Sequence, residues 1–294
     1  MSVAVVIVAS IFLFGVIRIS NSSEKSTTKV GLAVMDEKLH NITRHPDFLK
    51  EKLVTAYYAN QISNLAQQGA KVTVLPEKAI NINKESERGI ITMLSNVAKQ
   101  NHVFIIAGYT NFRNAQEYNS ALVINADGKV LIDYNKVYLV KGWEDQFTAG
   151  NKIGVFKFTG TDAGTAICKD LDFPGYINKY GNANISFLNI PAWDFVIDDW
   201  LHSRMAILRG IENGFSEVRT ARQGRLTISD CYGKITDEAN CSDGKGVTLL
   251  GNVSLQKINT IYTRLGDWFG VVNLIAATGF VFFSSKKIRG NKLP

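Results

Sequence analysis

Three side chains able to do acyl chemistry, Glu77, Lys136 and Cys168, each stand just past an apolar stretch of strand-like composition. Lys71–Leu75 runs into Pro76-Glu77, Val130–Tyr134 stops just before Lys136, and Gly164–Cys168 closes on the cysteine. Layered folds place chemistry where the chain leaves a sheet, because the scaffold fixes the backbone while the side chain faces a cavity. A thiol becomes a nucleophile on losing its proton. A carboxylate in a confined site takes that proton as general base. An ammonium stabilises both the thiolate and the oxyanion of a tetrahedral intermediate. Taken singly, each residue has an ordinary reading as a small core thiol or a solvated loop charge. Together they make a set for acyl transfer. The four histidines, His40, His45, His102 and His202, show no metal-ligand spacing, so neither a metal nor another cofactor is expected.

The elements that must position this trio follow from periodicity. Lys29–Met35 alternates like a strand, and Asp47–Gln68 carries helical spacing through Leu49, Leu53, Tyr57, Ile62 and Leu65 before Gly69. Glu85–Lys99 reads as a second helix and Val103–Tyr109 as a buried strand. Ser120–Ile124 and Val130–Tyr134 form a hairpin about Asp127-Gly128. Ile153–Phe158, Ile185–Ile190, Phe215–Thr220, Leu226–Ser229 and Val247–Asn252 are further strands. A helix leads to Tyr180 and another spans His202–Glu212, with Arg209 and Glu212 a structural pair on it. Hairpins mixed with crossovers predict an α/β fold with a mixed sheet layered by helices.

With 46% hydrophobic and 20% charged residues among 294, the chain can bury a large core, and its 5 prolines argue against long disordered linkers. The net charge is +7, but the domain holds no Lys/Arg run of five and no aromatic RNA-binding signature, which excludes nucleic acid as a partner. Part of the excess is Lys286, Lys287, Arg289 and Lys292, directly after an apolar run from Trp268 to Phe283. That arrangement suits a membrane helix with a cytoplasmic basic flank, the alternative being a buried terminal helix. Val3–Ile17 is a second apolar run, read as an uncleaved anchor or as a signal-peptide core. The expected division is an anchor or signal at 1–20, a catalytic domain at 21–263, and a membrane helix with its tail at 264–294. Topology then places the domain outside the cytoplasm. In such a compartment Cys231 and Cys241, within a polar Gly-containing stretch, either form a disulfide or remain two surface thiols.

The strings around the trio resemble the carbon–nitrogen hydrolase (nitrilase) superfamily: V-L-P-E-K at 74–78, Y-N-K-V-Y-L at 134–139 and A-I-C-K-D-L-D-F-P at 166–174. Order and spacing agree as well, and the resemblance covers about Lys29 to Ile261. It implies an α-β-β-α sandwich with two facing sheets. Within the superfamily the chain most resembles the catalytic domain of apolipoprotein N-acyltransferases. Glu144 matches an additional active-site glutamate of that branch, and Asn189–Trp193 its asparagine-to-tryptophan strand end. M-A-I-L-R-G-I-E-N-G (205–214), V-R-T-A-R-Q-G (218–224) and R-L-G-D-W (264–268) are also similar. Two departures stand beside the nucleophile: Lys169 where an aromatic is usual, and Asp170 where that branch has glutamate. Members of the branch carry a bundle of membrane helices ahead of the domain, and this chain is expected to have at most one.

The resemblance implies that Glu77 acts as base, Cys168 as nucleophile and Lys136 as oxyanion donor together with the Lys169 backbone N–H. Glu144 orients Lys136 or the attacking group, or simply pairs with Lys136 or Lys141; Asp170 orients or caps a helix; Trp193 walls the pocket. The partners are an acyl donor, such as a phospholipid, and an amine or water acceptor at a membrane. Amide hydrolysis is the alternative within the class, and a catalytically silent membrane module the alternative outside it. A Cys–His protease ranks low, for no suitable histidine neighbours a cysteine motif.

Overall fold

The computed structural model describes residues 2–20, 26–40, 47–113 and 115–290. His45 and Lys292 lie outside them, as do the side chains of Lys286, Lys287 and Arg289. In chain order the elements are α1 (Ser2–Ser20), β1 (Thr27–Val34), α2 (Glu37–His40), α3 (Phe48–Gln67), β2 (Val72–Val74), β3 (Ile80–Asn83) and α4 (Glu87–Asn101). Next come β4 (Phe104–Phe112), β5 (Tyr118–Ile124), β6 (Val130–Asn135), β7 (Gly154–Phe158), β8 (Thr161–Thr165), a 3-10 helix over Cys168–Asp172 and α5 (Pro174–Asn182). The chain continues through β9 (Phe187–Trp193), a 3-10 turn over Val196–Asp198, α6 (Asp199–Asn213), β10 (Ser216–Arg222), β11 (Arg225–Ser229), β12 (Ile235–Asn240) and β13 (Val247–Ser254). It finishes with α7 (Ile261–Leu265) and α8 (Trp268–Gly290).

Two mixed sheets form the centre. One has seven strands in the order β13-β1-β2-β4-β5-β6, with β3 also beside β4; the other has six in the order β12-β11-β10-β9-β8-β7. Strand alternation explains how they layer. In β1, Val30, Leu32 and Val34 turn toward the second sheet and pack with Phe158, Phe187 and Val218. Ala33, one residue out of phase, faces Tyr58, Ile62 and Leu65 of α3 instead. The outer face of the second sheet presents Leu188, Ile190 and Ala221 to Tyr176, Ile177 and Tyr180 of α5 and to Ala206 of α6. The result is the four-layered α-β-β-α sandwich, and each fully buried large side chain contributes about 1.5–3 kcal/mol. Local signals start and stop the outer helices. Asp47 caps α3 by accepting the Leu49 N–H at 2.9 Å, Pro174 opens α5, and Gly214 ends α6 in a left-handed conformation.

The polar stretch between Cys231 and Cys241 is not an open loop. It contains β12, an edge strand paired antiparallel with β11. Cys231 lies beyond the Ser229 end of that hairpin, whereas the Cys241 N–H reaches back to the Gly224 carbonyl at the other end, 2.9 Å away. At roughly 3.3 Å per strand residue the two are on the order of 20 Å apart, against the 7 Å limit between the Cα atoms of a bridged pair. Both are free and both are buried, so neither the disulfide nor the pair of surface thiols is correct.

Helices α1 and α8 form on the two terminal apolar runs, and their described side chains span Ala4–Ser20 and Trp268–Phe282. Most of these are exposed. Among the described residues no helix is long and apolar enough to cross a membrane.

Candidate active site

Each of the three reactive residues leaves its strand under a specific constraint. Beyond β2, Pro76 and Glu77 pass directly over Gly108 of β4. A methyl there would strike the Pro76 carbonyl oxygen and lie 2.8 Å from the Glu77 Cα. The Glu77 N–H then donates to the Ala192 carbonyl of β9 at 3.2 Å, so the residue is anchored to both sheets. Lys136 follows β6 directly. Its N–H donates to the Asn119 carbonyl and its own carbonyl accepts from Gly150, each at 2.8 Å. Gly150 has to be glycine, because a Cβ would collide with the Asn135 carbonyl. Strand β8 ends at Thr165, three residues short of Cys168, which opens the 3-10 helix with φ 41°. That left-handed backbone is uncommon for a residue with a side chain and marks a held conformation.

These side chains converge. The Lys136 ammonium, 1% exposed, donates to Glu77 Oε1 at 2.7 Å and to Glu144 Oε2 at 2.9 Å. The Asn119 amide donates to the same two carboxylates, at 2.5 Å to Glu77 and 2.6 Å to Glu144. Glu144 also accepts from Lys78 Nζ at 2.7 Å and from the Val140 N–H at 2.9 Å. Two carboxylates and two ammoniums thus cancel, as a buried cluster requires. Burial works against the Lys136 charge, but the Glu77 and Glu144 carboxylates beside it override that and hold the proton on more tightly than usual. Burial likewise pushes Glu144 up, and Lys136 and Lys78 outweigh it, bringing the carboxyl down to about 2. For Cys168 burial and Glu77 dominate, so the thiol is pushed up to about 12 despite Lys136. Cys168 therefore rests as a protonated thiol.

A cavity of about 970 Å³ receives Glu77, Lys136, Glu144, Cys168, Lys169 and Trp193. Trp193 is a wall of it, with the Arg222 guanidinium 4.0 Å from the ring centroid and its carbonyl 3.6 Å from the Cys168 thiol. Asp170 is not in the cavity but fully buried behind it. Glu144 pairs with Lys136 and Lys78, while Arg209 and Glu212 pair at 2.7 Å on α6. Four contributors went unassigned in the sequence. Lys78 stood inside the glutamate motif, and Asn119 gave no signal at all. Arg219, buried with Asp194 at 2.9 Å, and Arg222, paired with Glu37 at 2.7 Å, stood inside the V-R-T-A-R-Q-G string without an assigned role. Among the described residues no group of His, Cys, Asp and Glu is arranged to hold a metal ion.

The arrangement has relatives. The carbon-nitrogen hydrolase family matches across residues 28–254. The chain is 30% identical over 198 residues to 2-oxoglutaramate amidase of Bacillus subtilis, covering 60% of this chain and 76% of that protein. It is 24% identical over 302 residues to apolipoprotein N-acyltransferase of Bradyrhizobium diazoefficiens, covering 90% of this chain and 55% of that protein. It therefore spans about half the length of such N-acyltransferases. Among solved structures, an amidase from Nesterenkonia superposes with a TM-score of 0.67 at 15% identity, covering 78% of this chain and 90% of that one. A carbon-nitrogen hydrolase from Helicobacter pylori gives 0.66 at 16%, covering 79% and 91%. The chain belongs to the carbon-nitrogen hydrolase family. Its homologues include both amidases and N-acyltransferases.

Proposed function

We propose that the protein moves an acyl group through a thioester on Cys168, and that it passes that group to an amine at a membrane surface. The observation that carries this reading is the Lys136 ammonium lodged between Glu77 and Glu144 in the cavity that Cys168 enters. Glu77 takes the thiol proton as sulfur attacks the acyl carbon. Lys136 and the Lys169 N–H receive the oxyanion. Glu77 returns the proton to the leaving group, which departs and leaves the thioester. The acceptor, amine or water, then attacks, with Glu77 again removing a proton and Cys168 leaving. Glu144 and Asn119 hold Lys136 in register throughout. Covalent capture at the active-site cysteine of the Nesterenkonia amidase supports the same role for Cys168.

Proximity to lipid is supported by the cavity mouth. Trp143 and Phe195 meet edge to face there, with ring centroids 5.8 Å apart. Ile197, 90% exposed, stands beyond them with Trp200 and Leu201 also exposed. Apolar terminal helices add to this, since α1 and α8 would tether the domain, with the catalytic part outside the cytoplasm and the C-terminal tail inside. The second reading is hydrolysis of a small amide. It is favoured by the larger share, 76%, that the chain covers of the Bacillus amidase. Incubation with phospholipid and a lipoprotein-type N-terminal peptide separates the two. Mass spectrometry that finds an acyl thioester on Cys168, then an acylated peptide, supports the transferase. No thioester from any phospholipid, with ammonia or amine released from small amides, decides for the hydrolase.

A further inference from the structure

Five cationic lysine and arginine side chains line the cavity, and four are already neutralised. Lys78 pairs with Glu144, Lys136 with Glu77 and Glu144, Arg219 with Asp194 and Arg222 with Glu37. Lys169, the fifth, forms no hydrogen bond, ion pair or ring contact among the described residues. It is partly buried and stands one residue beyond the nucleophile, in the first turn of the 3-10 helix. Asp172 lies on the same short helix and lines the same cavity, yet makes no ion pair with it; Asp172 acts electrostatically on His202 instead. A cation held in a half-enclosed site without a counter-ion interacts more strongly with an incoming anion than one on open surface.

We propose that the Lys169 side chain is a specificity determinant that binds an anionic group, carboxylate or phosphodiester, on the non-reacting part of the substrate. This rests on the thioester reading of Cys168 and deepens it. Adjacency to the nucleophile requires the anion to lie a few bonds from the reacting carbonyl. The other cations cannot take this role without giving up a carboxylate partner, which for Lys78, Lys136 and Arg219 is a buried one and costly to leave.

The test uses two matched pairs of probes on the full chain. Glutaramate and valeramide are acyl amides of equal length that differ in a terminal carboxylate. Dipalmitoyl phosphatidylglycerol and dipalmitoylglycerol, in mixed micelles, differ in a phosphodiester headgroup. The rate of thioester formation on Cys168 is followed by mass spectrometry for the wild type, Lys169→Met and Lys169→Arg. The wild type should prefer the anionic member of one pair by about tenfold or more. That preference should collapse in Lys169→Met, persist in Lys169→Arg, and weaken with added salt in the unmodified protein. Whichever pair responds identifies the source of the anion. Thioester formation without preference in either pair, or a preference that survives Lys169→Met and high salt, overturns the proposal and leaves the thioester mechanism standing. No thioester from any of the four probes removes both.

Discussion

The Asp170 carboxylate accepts the Tyr134 hydroxyl at 2.6 Å, and through that contact the strand that leads into Lys136 is tied to the helix carrying Cys168. The same carboxylate accepts the N–H groups of Ile167 and Tyr138, each at 2.9 Å, and of Val137 at 3.1 Å. Four donors converge on one buried acid.

Burial lifts Asp170 from 3.8 to about 6 despite these donors. The folded chain therefore binds this proton more tightly than the unfolded one. The group costs nothing below about pH 4, and its penalty to stability grows as the pH rises to about 6. Activity should run the other way, since a protonated carboxyl cannot accept all four donors. Thioester formation is expected to fall below about pH 6 while the fold is not weakened by this residue. Asp170→Asn should lose tenfold or more at pH 8, in line with unpaired buried donors, and should lack that acid limb. A pH–rate profile unchanged in the variant would dissociate Asp170 from the site.

Removing the Lys136 charge leaves Glu77 and Glu144 facing Lys78 alone, with one buried negative charge uncompensated. Lys136→Met should cost about 3–5 kcal/mol in denaturant unfolding and lower the rate by about 100-fold or more. Glu77→Gln should match that loss of rate. Wild-type kinetics in either variant would exclude that residue from the chemistry.

Cys168→Ala should abolish turnover and shift stability by less than about 1 kcal/mol, because one small residue replaces another at the same strained backbone. Residual full activity would end the thioester mechanism.

Gly108→Ala forces Pro76 and Glu77 away from β4. Overpacking of this kind costs about 1–3 kcal/mol, and the displaced base should slow thioester formation by tenfold or more. A melting temperature and rate equal to those of the wild type would show that the loop adapts freely.

The proposed topology is checked by reporter fusions. One placed after Pro294 should behave as cytoplasmic, and one inserted near the partly exposed Ser242 should not. The reverse pattern overturns the orientation.

Residue type and short-range periodicity are written locally, so they were legible without coordinates. The alternation of Val30, Leu32 and Val34 declared a strand, and the strings around Glu77, Lys136 and Cys168 declared the trio and the layered sandwich. Charge neutralisation is not local. Lys136 and Glu77 are 59 residues apart, and only the order β2-β4-β5-β6 within one sheet puts Asn119 between the two carboxylates and Lys78 beside Glu144. Cys231 and Cys241 looked bridgeable because their separation along the chain is short. The β11–β12 hairpin places them at opposite ends, and register, which needs a partner strand, decided it. The left-handed turn at Cys168 and the unneutralised Lys169 beside it belong to tertiary structure for the same reason. Backbone strain and missing counter-ions are properties of surroundings, and a sequence names residues before it names their neighbours.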